Sequence, residues 1–305
     1  MRTTFVNCLF QRAAIDEDIF LITADLGFSV FENFAKTYPD KFLNAGISEQ
    51  NAVSVAAGMA LSGKKVYVYS IIPFITMRCF EQIRIDVAYM NTNVKLVGVG
   101  SGYAYGPQGS THHAIEDIAV MRALPNMTVC CPSDPIEARG LINESFSYKG
   151  PMYIRLARNN EPHIHQENIV VKIGKANVVT EGSDFVIFTT GNILDLGIAI
   201  ATNYFQKGKN IRVVSMPTIK PIDYEYITQV VKDRIPILTL EEHNIIGGLG
   251  SAVAEIVAET GINVPFKRIG IPDVYQHAVG DEDFLRKAVN MQGNAENFIN
   301  AVFGW

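Results

Sequence analysis

Two lengths of apolar patterning alternate along this chain. Short unbroken apolar runs of about five residues are separated by longer stretches with apolar positions at helical spacing. Residues 3–14 open the series, with Phe5, Cys8, Leu9 and Ala13 on one helical face. Ile19-Phe-Leu-Ile-Thr23 follows, a run of the kind that is buried on both faces of a parallel sheet. The stretch from Asn44 to Gly63 opens as a turn, Asn44-Ala-Gly46, and continues as a helix of small residues. Ala52, Ala56, Ala57, Gly58 and Ala60 in it predict a buried or interfacial helix, since a solvated one would carry more Lys and Glu. Val66-Tyr-Val-Tyr69 predicts a strand, residues 74–90 a single helix, and Val94-Lys-Leu-Val-Gly-Val99 another strand. Met127-Thr-Val-Cys-Cys131 and Met152-Tyr-Ile-Arg-Leu156 predict two more strands, with a helix opening at Pro132-Ser-Asp-Pro135 between them.

A polar stretch with a proline, 159–168, reads as a linker. Beyond it a second series begins. Strands are predicted at 184–189, 211–215, 235–239 and 265–269, and helices near 193–206, 223–233 and 248–259. Strands alternating with helices of this length mean βαβ units. The expected fold is therefore α/β in two domains, 1–165 and 166–305, each with a mostly parallel sheet flanked by helices.

Composition narrows the class of function. At 305 residues the chain has ample length for buried cores. Its 48% hydrophobic and 19% charged content is ordinary for a globular protein and slightly short of surface charge, as in oligomers. A formal net charge of −5 without a Lys/Arg cluster argues against nucleic-acid or acidic-membrane binding. No apolar run approaches the roughly 20 residues that span a bilayer, and residues 1–5 lack a signal-peptide core. Cys8, Cys79, Cys130 and Cys131 show no CxxC spacing, which suits free thiols in a reducing cytoplasm. The vicinal Cys130 and Cys131 read as core packing on opposite strand faces.

Candidate chemistry gathers where strands end, as it does in open parallel sheets. Three segments fall there: Ala24-Asp-Leu-Gly27, Gly46 to Gln50, and the glycine-rich loop 100–113. Glu49 in the first helical turn is either an acid stabilised by the macrodipole or a buried acid that hydrogen-bonds a cofactor. An ordered loop as long as 100–113 is usually functional, and its glycines permit unusual backbone angles. At its end His112 and His113 can donate to a substrate oxygen or shuttle protons; metal binding or plain helix capping are the alternatives. A metal pair on a helix would want His-x-x-x-His spacing, so no metal ligand is assigned. Gly247-Gly-Leu-Gly-Ser-Ala252 falls short of a full dinucleotide fingerprint. His163-Ile-His165 reads as solvated linker.

Ile47-Ser-Glu-Gln50, Gly109-Ser-Thr-His-His113 and Leu124-Pro-Asn-Met127 with Pro132-Ser-Asp134 together resemble the transketolase and 1-deoxyxylulose-5-phosphate synthase superfamily. Ser215-Met-Pro-Thr-Ile-Lys-Pro221 and His243 with Gly247-Gly-Leu-Gly-Ser251 resemble its C-terminal domain, so the likeness covers nearly the whole chain. It implies thiamine diphosphate as cofactor. Glu49 matches the glutamate that contacts the aminopyrimidine ring nitrogen and helps form the imino tautomer. His112 matches the histidine that faces the substrate, there polarising a carbonyl or stabilising developing charge, with His113 a second candidate for that work. Phe74 is placed on the pyrimidine, Arg78 beside it, and Asp25 at the cofactor and substrate entrance. Arg155 and Arg158 resemble arginines that hold a sugar phosphate. Gln108 stands where transketolases usually have an acid that reads substrate hydroxyls.

The superfamily's diphosphate element, Gly-Asp-Gly…Asn, has no counterpart; Val279-Gly-Asp-Glu282 is not followed by the needed Asn. The resemblance therefore implies the C-terminal half of a split transketolase, cytoplasmic, pairing with an N-terminal subunit as an α2β2 heterotetramer. Thiamine diphosphate and Mg²⁺ or Ca²⁺ would be shared with that partner, which would supply the metal ligands. The implied reaction moves a two-carbon ketol unit between sugar phosphates. The alternatives are a β chain of a 2-oxoacid dehydrogenase E1 component, a deoxyxylulose-phosphate-synthase-like carboligase, or a non-catalytic scaffold subunit.

Overall fold

Unbroken apolar runs have to be covered on both faces, and two sheets flanked by helices do this. A computed structural model describes residues 1–27, 29–158 and 161–305; Phe28 and the first two residues of the expected linker, Asn159 and Asn160, lie outside it. The strands of the first sheet are β1 (Ile19–Thr23), β2 (Phe42–Asn44), β3 (Lys65–Ile71), β4 (Val94–Val99), β5 (Thr128–Cys130) and β6 (Met152–Leu156). Those of the second region are β7 (Asn177–Thr180), β8 (Phe185–Thr190), β9 (Ile211–Ser215), β10 (Thr218–Lys220), β11 (Ile237–Asn244) and β12 (Phe266–Ile271). The first sheet runs β10-β5-β6-β4-β3-β1-β2 and the second β12-β11-β8-β9-β7. Both are parallel except at one edge, where β10 and β7 run antiparallel to their neighbours. β10 follows the linker in sequence yet pairs with β5 of the first sheet, Thr218 opposite Cys130.

Helix Arg2–Ala13 and helix Pro135–Ser147 cover one face of the first sheet, in a core that includes Phe5, Leu9, Tyr67, Ile142 and Cys130. Helix Glu49–Leu61 covers the other with its small residues Ala52, Ala56 and Ala57. That second core runs on without interruption through Val186, Phe188 and Val214 of the second sheet. Helices Leu194–Phe205 and Met291–Phe303 close the far face. Cys130 and Cys131 do belong to the two different cores, one on each side of the sheet.

Three differences from the sequence reading have physical causes. The single helix expected over 74–90 is broken into Ile72–Ile75, Phe80–Gln82 and a π-helical Ile83–Tyr89. The Thr76 hydroxyl donates to the Ile72 carbonyl at 2.6 Å, and the Arg78 amide reaches back five residues to Pro73. A hydroxyl competing for a helical carbonyl loosens the turn, and such wide turns often sit at functional sites. β11 runs five residues past its expected end because its polar residues find buried partners. Glu241 accepts from the amides of Leu249 and Gly250, each at 2.7 Å, and so caps helix Leu249–Thr260. Lastly, His165 is not solvated. Its ring is buried with Nδ1 3.2 Å from Asp134, and the amides of Ile164 and His165 donate to the same carboxylate at 2.8 Å.

Candidate active site

Thr23, Asn44, Ile71, Val99 and Leu156 end their strands side by side, Thr23 opposite Asn44, Ile71 opposite Val99, Val99 opposite Leu156. Five segments therefore leave the same carboxyl edge: 24–27, 45–48, 72–78, 100–113 and 157–158.

Glu49 begins helix Glu49–Leu61 and is 2% exposed. A carboxylate there is favoured by the helix N-terminus, which offsets part of the cost of burial. Its Oε2 accepts from Nη1 of Arg78 at 2.7 Å, and its Oε1 has only a longer contact, 3.4 Å, from the Ser70 hydroxyl. The guanidinium of Arg78 lies over the ring of Phe74 at 4.2 Å, and the Gln50 amide holds the Arg78 carbonyl at 3.1 Å. The break after Ile75 is what turns Arg78 back onto Glu49. The side chain of Arg78 is 42% exposed, against 3% for that of Glu49, so it is the partner free to move.

Phe74 continues the line. The His112 ring meets it edge-on with centroids 5.2 Å apart, and the Thr111 hydroxyl lies 3.0 Å from His112 Nδ1. On its other side His112 faces Tyr105, centroids 6.2 Å apart, and Tyr105 carries the guanidinium of Arg158 at 4.7 Å. Glu49, Arg78, Phe74, His112, Tyr105 and Arg158 thus form one continuous row of contacts along the strand ends. Tyr105 was missed by sequence reasoning. The signal was an aromatic inside a glycine-rich loop, where it needs a reason to be ordered.

Other predicted residues stand apart from this row. Arg155 is the clearest correction: it does not face an anion-binding site. Its side chain is 1% exposed, with Nε on Asp117 at 2.8 Å and Nη2 on the carbonyls of Ala114 and Glu242 at 2.8 and 3.0 Å. It buttresses the loop from behind, and only Arg158 of the two reaches the row. His113 likewise turns inward. It is buried edge-on against Tyr103, centroids 5.1 Å apart, and burial holds its pKa below the ordinary imidazole value. Gln108 is exposed on the short turn Gly106–Gln108. Asp25, with a positive φ of 51°, exchanges hydrogen bonds with Asn44: its amide donates at 3.0 Å and its Oδ1 accepts at 3.2 Å. It lines a small cavity of ≈ 160 Å³ beside Phe31 and Phe42.

The loop 100–113 is held from the second domain. The amide of Tyr103 donates to Glu242 Oε1 at 2.7 Å, and Arg286 pairs with the other carboxylate oxygen. Ser101 donates to Asn192 at 3.0 Å. Glu242 was invisible in the sequence because its role depends on a contact 139 residues away. Among the described residues, no group of three or more His, Cys, Asp or Glu side chains is arranged to hold a metal ion.

Residues 1–163 match the family model for the transketolase pyrimidine binding domain, and residues 174–291 that for the transketolase C-terminal domain. An apulose-4-phosphate transketolase subunit of Actinobacillus succinogenes is 41% identical over 254 residues, covering 83% of this chain and 82% of its own. A putative transketolase C-terminal section of Methanocaldococcus jannaschii is 38% identical over 298 residues, covering 97% of this chain and 93% of its own. Among solved structures, a split-gene transketolase described as an inactive beta4 tetramer superposes with a TM-score of 0.88 at 34% identity, covering 99% of this chain and 96% of that one.

Proposed function

Because the chain belongs to the transketolase family, as a subunit with its pyrimidine-binding and C-terminal domains, we propose that the row from Glu49 to Arg158 is its half of a shared active site. The observation that carries this reading is Glu49 itself: a buried carboxylate bound to a flat cation that in turn lies on an aromatic ring. An aminopyrimidine is also flat and basic, and needs the same two contacts, a carboxylate at its edge and an aromatic face beneath it. Phe74 and Glu49 offer both, with Arg78 free to move aside, so the residues fit the pyrimidine end of thiamine diphosphate. When bound, that cofactor supplies a nucleophilic carbon able to accept a two-carbon unit.

The chain's own residues then divide the work. Glu49 holds or shares the proton at the pyrimidine edge. His112, presented between two rings, donates a hydrogen bond to the substrate carbonyl and shelters the charge that develops on it. Arg158, at the far end of the row, holds an anionic group of the sugar, as its planar fork allows. Asp25 shapes the entrance from the neighbouring strand end. Gln108 lies at the rim, where it reads substrate hydroxyls as donor and acceptor. The substrates are ketose and aldose phosphates, in keeping with a relative whose name specifies a 4-phosphate sugar. The partner is an N-terminal subunit that carries the diphosphate and Mg²⁺ or Ca²⁺ ligands, most simply in an α2β2 complex. We place the domain division at residue 165 and the complex in the cytoplasm; no helix among the described residues is long and apolar enough to cross a membrane. Kinship with split transketolase subunits favours ketol transfer over the dehydrogenase, carboligase and scaffold alternatives.

Ketol transfer by the complex reconstituted with its N-terminal subunit tests the reading. Glu49→Gln keeps the shape but not the charge, and is expected to lower kcat by about 10²–10⁴-fold. Calorimetric titration of thiamine diphosphate and Mg²⁺ into the chain alone and into the complex locates the cofactor. Tight binding by the chain alone, or full activity of Glu49→Gln, would overturn the shared-site proposal.

A further inference from the structure

Tyr105 lies between the two groups that the proposed reaction requires at opposite ends of a sugar. One ring face is 4.7 Å from the guanidinium of Arg158, and the ring stands 6.2 Å from that of His112. Its seat is prepared by the backbone. Gly100, at the end of the preceding strand, has a φ of +93°, and a Cβ there would meet two carbons of the Tyr105 ring at 2.2 Å. Any other residue at position 100 would expel the ring, and it would also be strained by its backbone angle. The ring is half-buried among apolar neighbours, in a core that includes Tyr69 and Phe74. It is thus fixed independently of any substrate.

Arg158 has a competing attraction. It also lines a cleft of ≈ 450 Å³ between the two domains, together with Glu161, Asp195, Asp281, Glu282 and Asp283. Arg286 lines the cleft as well, but it is already paired with Glu242. Glu161 is taken by the Met1 amino group at 2.6 Å, and burial raises the Glu282 carboxyl to about 7, but Asp195, Asp281 and Asp283 of the second domain would still draw a mobile guanidinium away from the strand ends. The aromatic face opposes this, because a cation over a ring is held by the ring quadrupole without surrendering its hydrogen-bond donors. Those donors remain available to an incoming anion.

We infer that Tyr105 is a positioning residue for substrate discrimination: it holds Arg158 out of the acidic cleft and at a set distance from His112, so that ketoses bearing a terminal anion are preferred. The ring sets how far the anion can lie from the reacting carbonyl. Tyr105 itself need not touch the substrate. This inference rests on the transketolase reading above and adds to it the group that makes the anion site.

The test uses the reconstituted two-subunit complex with thiamine diphosphate and Mg²⁺. It reads the ratio of kcat/KM for xylulose 5-phosphate to that for uncharged L-erythrulose. Removing the ring in Tyr105→Leu is expected to lower this ratio about 3–30-fold, the range spanned by a partly desolvated cation–π contact. The loss should appear in KM for the phosphorylated ketose, and Tyr105→Phe, which keeps the ring, should keep the ratio. A Leu variant whose ratio stays within about twofold of wild type, in a complex where Arg158→Met lowers it, would overturn the inference while leaving the transketolase reading intact. So would a Phe variant as impaired as Leu, since the hydroxyl and not the ring would then be responsible. A wild-type complex that transfers no ketol unit from either sugar would refute both.

Discussion

Replacing Asp117 with Asn should unfold the first domain at a markedly lower temperature, although the two side chains differ by one atom type. Asp117 is fully buried, and its Oδ2 accepts from both Arg155 Nε at 2.8 Å and the Tyr153 hydroxyl at 2.6 Å. Burial alone would press Arg155 to shed its charge, but Asp117 beside it outweighs burial and lifts its pKa above the ordinary range. An amide offers one acceptor where the carboxylate offered two, and turns an NH₂ toward a donor. Arg155 cannot leave, because Nη2 is tied to the carbonyls of Ala114 and Glu242. The variant therefore keeps a buried cation without a counter-charge, a situation that costs about 3–5 kcal/mol. At about 2–4 °C per kcal/mol for a domain of this size, the melting midpoint should fall by about 6–20 °C. Scanning calorimetry of the chain reads the midpoint directly. A shift under about 2 °C would refute the argument, and would mean that Arg155 finds water or another anion. Adding phosphate separates those cases. If phosphate restores the midpoint of Asp117→Asn without affecting wild type, Arg155 is accessible to anions after all.

Two other predictions concern groups away from the row. His165 lies against Asp134 and Glu137; burial lowers its pKa, but the Asp134 carboxylate 3.2 Å from its ring and the charge of Glu137 win and raise it above the ordinary value. A raised imidazole pKa stabilises fully below the unfolded value of about 6.5 and fades as pH rises through the folded one. The stability difference between wild type and His165→Gln should thus be largest near pH 6 and shrink toward pH 9 in urea titrations; a difference independent of pH would contradict the ion pairing. All four cysteines are buried, and desolvation raises each thiol, those of Cys79 and Cys130 to about 12. Native protein should therefore take up no iodoacetamide at pH 8 and four equivalents in guanidinium, counted by mass spectrometry; rapid labelling of Cys79 in the native state would show that the segment around Arg78 opens.

The parts of this structure that were legible in the sequence are those decided by unbroken apolar runs. β1, β3, β4, β8 and β9 could be placed from the apolar pattern alone, because a run such as Phe185 to Phe188 has nowhere to go but a sheet interior. The edge strands β2, β7 and β10 could not, since at three or four residues they are too short for a burial pattern to show. The broken helix around Arg78 depends on one hydroxyl, Thr76, whose bond to Ile72 no periodicity reveals. Within the candidate row, motifs single out Glu49 and His112, whereas Arg155, a candidate for an anion site, lies buried on Asp117. An arginine near a strand end looks the same in sequence whether it meets a ligand or an aspartate 38 residues earlier. Tyr105 went unnoticed for the opposite reason: its environment is made by glycines, which leave no chemical signature of what they admit.

The strand that the second half of the chain adds to the first sheet bears on how the molecule is made. β5 is covered at its outer side by β10, which lies some 90 residues further along the chain. During synthesis, the first sheet can assemble β1 through β6 and still expose a row of unpaired amides and carbonyls at β5. That row stays open until residues 218–220 have left the ribosome, several seconds later at usual elongation rates. In that interval the nascent domain is most exposed to pairing with another chain. The first sheet is therefore completed only by the second half of the chain, which acts in part as its chaperone.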